Sequence, residues 1–162
     1  MPLPAPQLEH VADLTVFVAA PVEAGQISGL NSRGRRRIIP ITGGNLRGPL
    51  LNGRVLPGGA DFQLVVSDTA SDLDARYIIE LDGPEFAGEH IYVQNRALRR
   101  GSAADIARLV RGEPVEPAAI YFRGVPTFEV SSPALAWLTE SIFIISGARF
   151  PDRVEMRLYR LA

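Results

Sequence analysis

The chain has 162 residues, 46% of them apolar and 22% charged, with a formal net charge of −1. That length suits one domain with a substantial core, and the near-neutral balance gives no global pull toward nucleic acid or an anionic membrane. There is no cysteine, and reading the chain through, all 17 basic residues are arginine. Disulfides, thiolate metal sites, cysteine nucleophiles, Schiff-base lysines and lysine-dependent phosphate loops are therefore excluded.

In chain order, Met1-Pro2-Leu3-Pro4-Ala5-Pro6 reads as the start of an extended arm over residues 1–7. It has neither the basic nor the apolar part of a signal peptide, and no run approaches the ~18 apolar residues of a membrane span. A cytoplasmic protein with no membrane or nucleic-acid partner is the expectation. Leu8 to Ala19 is strand-like, with Leu14, Val16 and Val18 on one side. Residues 20–35 hold Pro21, Gly25, Ser28, Gly29, Asn31 and Ser32, and are expected to be a long loop, a lid or an insertion. Strands are predicted over Arg36–Thr42, Asn45–Val55, Ala60–Val66, Ser71–Leu81 and Glu89–Leu98, separated by Gly, Pro, Ser and Asp breakers. Ser102 to Arg111 predicts one helix. Ser102 can cap it, Gly112 can end it, and Ala103, Ile106, Ala107 and Val110 form one apolar face. Strands at Ala118–Val130, Ala136–Gly147 and Arg153–Arg160 complete the chain. Strands at short intervals with one helix predict an all-β fold, an antiparallel closed or nearly closed β-barrel in a single domain over residues 1–162.

Most candidate motifs have plain explanations. Gly43-Gly44 and Gly58-Gly59 lack the spacing of a phosphate loop and precede no helix, so they read as bulges or turns. Arg33-Gly34-Arg35-Arg36-Arg37 is short and isolated, the pattern of a solvated loop edge. His10 and His90 stand in no ligand spacing, so no metal and no cofactor are expected. Ile142-Phe143-Ile144-Ile145 is apolar at successive positions, more than one inward face uses, which predicts an outward interface and a homo-oligomer.

Asp61 and Gln63 lie two residues apart, as do Asp74 and Arg76, so each pair shares one face of its strand. Read from alternation alone, those faces are solvated, and Asp74–Arg76 is a surface pair worth under about 1 kcal/mol.

A wider pattern changes that reading. Ile39–Gly44, Leu56–Gln63, Leu73–Tyr77, Tyr121–Glu129 and Trp137-Leu138 follow in an order that resembles the family of domain of unknown function 3237, uncharacterised small β-barrel proteins. The resemblance spans nearly the whole chain. It departs at Phe62, where the family often has tryptophan, and in the segment 20–34. It implies that Asp61, Gln63, Asp74, Arg76 and Arg123 form a polar cluster inside the barrel mouth. In a ligand-binding protein, Gln63, Arg76 and Arg123 would hold a small, anionic organic molecule by forked hydrogen bonds. In a cofactor-independent isomerase, cyclase or lyase, Asp61 or Asp74 would move a proton beside that anion, and Asp61, free of an arginine partner, is the better base. A solid barrel with a structural or assembly role is the third possibility.

Overall fold

The alternation of apolar and polar residues resolves into ten strands and one helix in a computed structural model that describes residues 1–162. The strands are β1 (Leu8–Val18), β2 (Val22–Gln26), β3 (Arg35–Arg47), β4 (Gly53–Val55), β5 (Ala60–Val65), β6 (Ala70–Leu81), β7 (His90–Arg100), β8 (Tyr121–Val130), β9 (Phe143–Arg149) and β10 (Arg153–Leu161). The helix, α1, is Ala103–Val110. From β6 to β10 each strand pairs antiparallel with the next. β10 then pairs with β1, and β1 with β3, which closes the ring. β4 and β5 both lie between β3 and β6, at opposite ends of them, as one stave interrupted at Leu56–Gly59. The closed antiparallel barrel thus has eight staves, with β2 as an outer hairpin partner of β3.

Closure leaves no free edge in the ring and sends every second side chain inward. Val16, Ile41, Leu73, Tyr77, Ile91, Val93, Phe143, Ile145 and Leu158 supply much of the core. The two ends differ. Beyond the C-terminal end of β8, a 3-10 turn at Pro133–Leu138 drives Leu135 and Leu138 into the barrel as a plug. At the other end, β7 leads into α1, where Ser102 Oγ accepts a hydrogen bond from the Asp105 N–H at 3.0 Å. No α1 residue is fully buried, so the helix leans on the rim through Ile106 and Leu109 and leaves that end open.

Several expected boundaries are corrected. The long loop at 20–35 contains β2 and a 3-10 turn at Gly29–Asn31. Gly25, at φ +97°, absorbs a register shift there, and that lets Val22–Gln26 pair with Arg35–Ile38. The strand expected at Asn45–Val55 is the end of β3, a turn and β4. Gly43-Gly44 continues β3, and does not break it. Gly44 has φ +150°, and a Cβ there would run into the Thr15 carbonyl of β1, so glycine permits the close approach that seals the barrel. The strand expected from Ala136 starts only at Phe143, since Pro133 sets up the plug turn before it.

Candidate functional site

Strand register decides which polar residues meet. β5 and β6 pair Asp61 with Ala75 and Leu64 with Asp72, so odd-numbered residues face odd ones across this hairpin. Leu73, Ala75 and Tyr77 turn inward, and Asp61 and Gln63 go inward with them. Asp74 and Arg76 are on the even face and point outward. The expected single cluster is therefore split between the two sides of one sheet. Arg76 donates to Asp74 at 2.9 Å with about half of its side chain exposed, and Gln94 donates to the same carboxylate at 3.0 Å. Arg123 is also outside. It donates to the Phe122 carbonyl at 2.9 Å and lies over the Tyr121 ring. Each pair shares a face as its spacing predicts, but a spacing of two says nothing of which face the second strand presents.

Inside, Asp61 and Gln63 form a chain of defined polarity. It begins at Arg37, which the sequence places on a solvated loop edge and the structure buries on the inward face of β3. Arg37 Nε donates to Gln63 Oε1 at 2.9 Å, which turns the Gln63 amide nitrogen toward Asp61 Oδ2 at 2.6 Å. The other oxygen, Asp61 Oδ1, accepts from the Asp74 backbone N–H at 3.1 Å. Both carboxylate oxygens are held, so the group has a fixed orientation. Burial pushes the Asp61 carboxyl above the usual carboxylate range, although its two hydrogen bonds and the charges of Arg99 and Arg37 pull the other way.

Facing this carboxyl are two arginines that the sequence reading missed. Arg99 is 4% exposed, and neither it nor the half-buried Arg149 has an ion-pair or side-chain hydrogen-bond partner in the protein. Burial, reinforced by the charges of Arg149 and Arg37, lowers Arg99 to about 9, which still leaves it cationic at neutral pH. Arg149 is lowered in the same way, by burial first and then by the charge of Arg37. The signal for both was parity. Ile91, Val93, Asn95, Ala97 and Arg99 occupy the inward positions of β7, and Phe143, Ile145, Gly147 and Arg149 those of β9. Ending the β7 strand at Leu98 hid the first of them. Three guanidiniums and one buried carboxylate thus share the open half of the barrel, with the half-exposed Glu23 3.9 Å from Arg37 outside it, an excess of positive charge in a site where an unpaired ion is costly.

The space between these groups is a cavity of about 90 Å³, continuous with solvent at the end bounded by Ala19–Pro21 and Phe150-Pro151. Its walls are mostly apolar, among them Val16, Ile41, Phe122 and Met156. By position along the strands Arg99 and Arg149 are at the mouth, Asp61 is midway, and Tyr77 is deepest. No group of three or more His, Asp or Glu side chains is placed to hold a metal ion. His10 and His90 lie on the surface beside Asp13 and Glu80.

Comparison with known proteins places this barrel among relatives. A family model described as a protein of unknown function (DUF3237) matches residues 6–161. A UPF0311 protein of Clostridium acetobutylicum is 39% identical over 154 residues, 95% of this chain and 93% of that one. The crystal structure of a conserved protein of unknown function from Rhodopseudomonas palustris superposes with a TM-score of 0.87 at 37% identity, covering 99% of both chains. A beta-barrel like protein from Acinetobacter baumannii superposes with a TM-score of 0.83 at 38% identity, again over 99% of both chains.

Proposed function

The chain belongs to the DUF3237 family, and we propose that it binds a small organic anion inside its barrel, with Arg99 and Arg149 receiving the charge. The observation that carries this reading is the pair of guanidiniums at the cavity mouth with no anionic partner of their own. Folding draws them out of bulk water with only the charge of Asp61 to offset it, so an anion that enters gains forked hydrogen bonds in a low-dielectric setting. The apolar walls suit the body of such a ligand, and the positive mouth draws it in. An interior of this kind favours a ligand over a solid structural barrel.

Calorimetric titration with benzoate and 2-naphthoate tests the proposal. The parent is expected to bind at least one of them with an affinity that weakens as salt rises, and Arg99→Gln is expected to lose about tenfold or more. Equal affinity in the parent and the variant would count against it.

One observation favours a catalytic version of the same site. Asp61 is the only carboxylate lining the cavity, it is oriented through both oxygens, and burial raises it toward the pH range of a useful base. In that version Asp61 takes a proton from carbon beside a carbonyl of the bound molecule. The C–H electrons move to the carbonyl oxygen, where a guanidinium balances the new charge. Hydrogen–deuterium exchange at that carbon, followed by NMR in heavy water, is the test. Exchange must require Asp61.

A further inference from the structure

The deepest polar group of the cavity has no place in the anion site. Tyr77 is 4% exposed, lines the cavity and has no hydrogen-bond partner for its hydroxyl within the protein. Its position follows from the register. Asp61 pairs with Ala75, and Tyr77 is two residues further along the same inward face, a diagonal neighbour of Asp61. Gly59 lies beside it, where a Cβ would come within 2.6 Å of Tyr77 Cβ, so glycine there lets the two strands approach closely at Tyr77. Asn95 is the other uncharged polar side chain at this depth: its amide nitrogen donates to Met156 Sδ, and its oxygen, which has no hydrogen-bond partner, is buried against Gly124 and out of reach of a ligand. Burial, and after it the charge of Asp61, push the Tyr77 hydroxyl well above its ordinary range. It therefore stays a neutral donor across all physiological pH.

We propose that Tyr77 donates a hydrogen bond to an uncharged oxygen at the inner end of the ligand, which makes the barrel a site for oxo-anions: molecules with a charged group at the mouth and a carbonyl at depth. The inference rests on the anion-binding reading of Arg99 and Arg149 and adds the second anchor. The Tyr77 hydroxyl opens onto the cavity without a protein partner, so an acceptor delivered by the ligand supplies one. A methylene at the same point would leave it stranded. Selectivity for carbonyl over methylene follows from that difference, as it does wherever a site is built to hydrogen-bond its ligand.

Matched anions test it: 4-acetylbenzoate against 4-ethylbenzoate, titrated calorimetrically into the parent and into Tyr77→Phe. The parent is expected to prefer the acetyl compound by about tenfold, and Tyr77→Phe to bind both alike, with its affinity for 4-ethylbenzoate unchanged. The carbon resonance of 13C-labelled acetyl carbonyl should also move downfield on binding to the parent, a readout that needs no variant. Equal binding of the two anions by the parent overturns the assignment while leaving the anion site standing. So does a preference that survives in Tyr77→Phe. If neither anion binds the parent, the anion site itself falls and the role of Tyr77 with it.

Discussion

Asp61→Asn is expected to destabilise the protein, because the amide cannot satisfy the donors that the carboxylate now satisfies. Asp61 accepts from the Asp74 N–H on one oxygen and from Gln63 Nε2 on the other. An asparagine that keeps its oxygen toward Asp74 must point its own N–H2 at Gln63 Nε2. Flipping Gln63 only moves the conflict along, since its nitrogen would then face Arg37 Nε. One donor–donor contact is unavoidable in every arrangement. Each such loss costs about 1–3 kcal/mol in a buried site. The variant also removes the carboxylate facing Arg99 and Arg149 and leaves Arg37 only its 3.9 Å contact with Glu23, and breaking a buried charge cluster typically costs about 3–5 kcal/mol. Against these stands relief from burying the Asp61 charge, which its raised pKa registers. The net expectation is a loss of about 2–4 kcal/mol, or roughly 5–15 °C in melting temperature for a domain of this size. Asp61→Asn combined with Gln63→Glu should recover most of it. The carboxylate introduced at position 63 accepts from Arg37 on one oxygen and from the amide introduced at position 61 on the other. The negative charge returns to the same inward face, at the adjacent inward position. Urea denaturation of the parent, both single variants and the double variant gives the coupling directly. An Asp61→Asn protein as stable as the parent, or a double variant no better than the worse single one, would refute the directional chain from Arg37 to Asp61.

Three further outcomes are expected. Asp74→Asn should cost under about 1 kcal/mol at pH 7, because the Asp74–Arg76 pair lies on the solvent-facing side of the sheet. The Arg76 guanidinium holds Asp74 below the usual carboxylate range, so the unfolded chain binds the proton more readily; this contribution is present above the ordinary carboxylate pKa and fades as pH falls through the depressed one. Urea midpoints of the parent and the variant should therefore converge at low pH, and a loss beyond about 2 kcal/mol at pH 7 would contradict the outward placement. Ser102→Ala removes the cap on α1, worth about 1 kcal/mol, and should speed amide exchange in the first helical turn while leaving the global melt nearly unchanged. Self-association is proposed through the outer face of β7, β8 and the segment entering β9, where Leu98 is 44%, Val125 53% and Ile142 62% exposed. Light scattering at micromolar concentration should find a dimer or larger oligomer that Ile142→Asp dissociates, whereas a parent that is monomeric there overturns the proposal.

Much of the barrel was legible along the chain because strand alternation is a local property. Leu14, Val16 and Val18 share one side of β1 whatever they pack against, and Ser102 caps its helix through atoms three residues away. The pairing of Asp61 with Gln63, and of Asp74 with Arg76, on common faces was local in the same sense. Which of those faces looks inward was not. That depends on the register between β5 and β6, where Asp61 meets Ala75 and Phe62 goes outward beside Asp74, so only the first polar pair enters the cavity. Gly43-Gly44 shows the same limit from the other direction. A pair that reads as a break is continuous strand, and at Gly44 β1 approaches too closely for any side chain. Arg99 and Arg149 come from strands far apart in sequence. Local patterning placed each of them on a strand, but only closure of the barrel brought their charges to face Asp61, because cavity and charge balance exist only once distant staves share one interior.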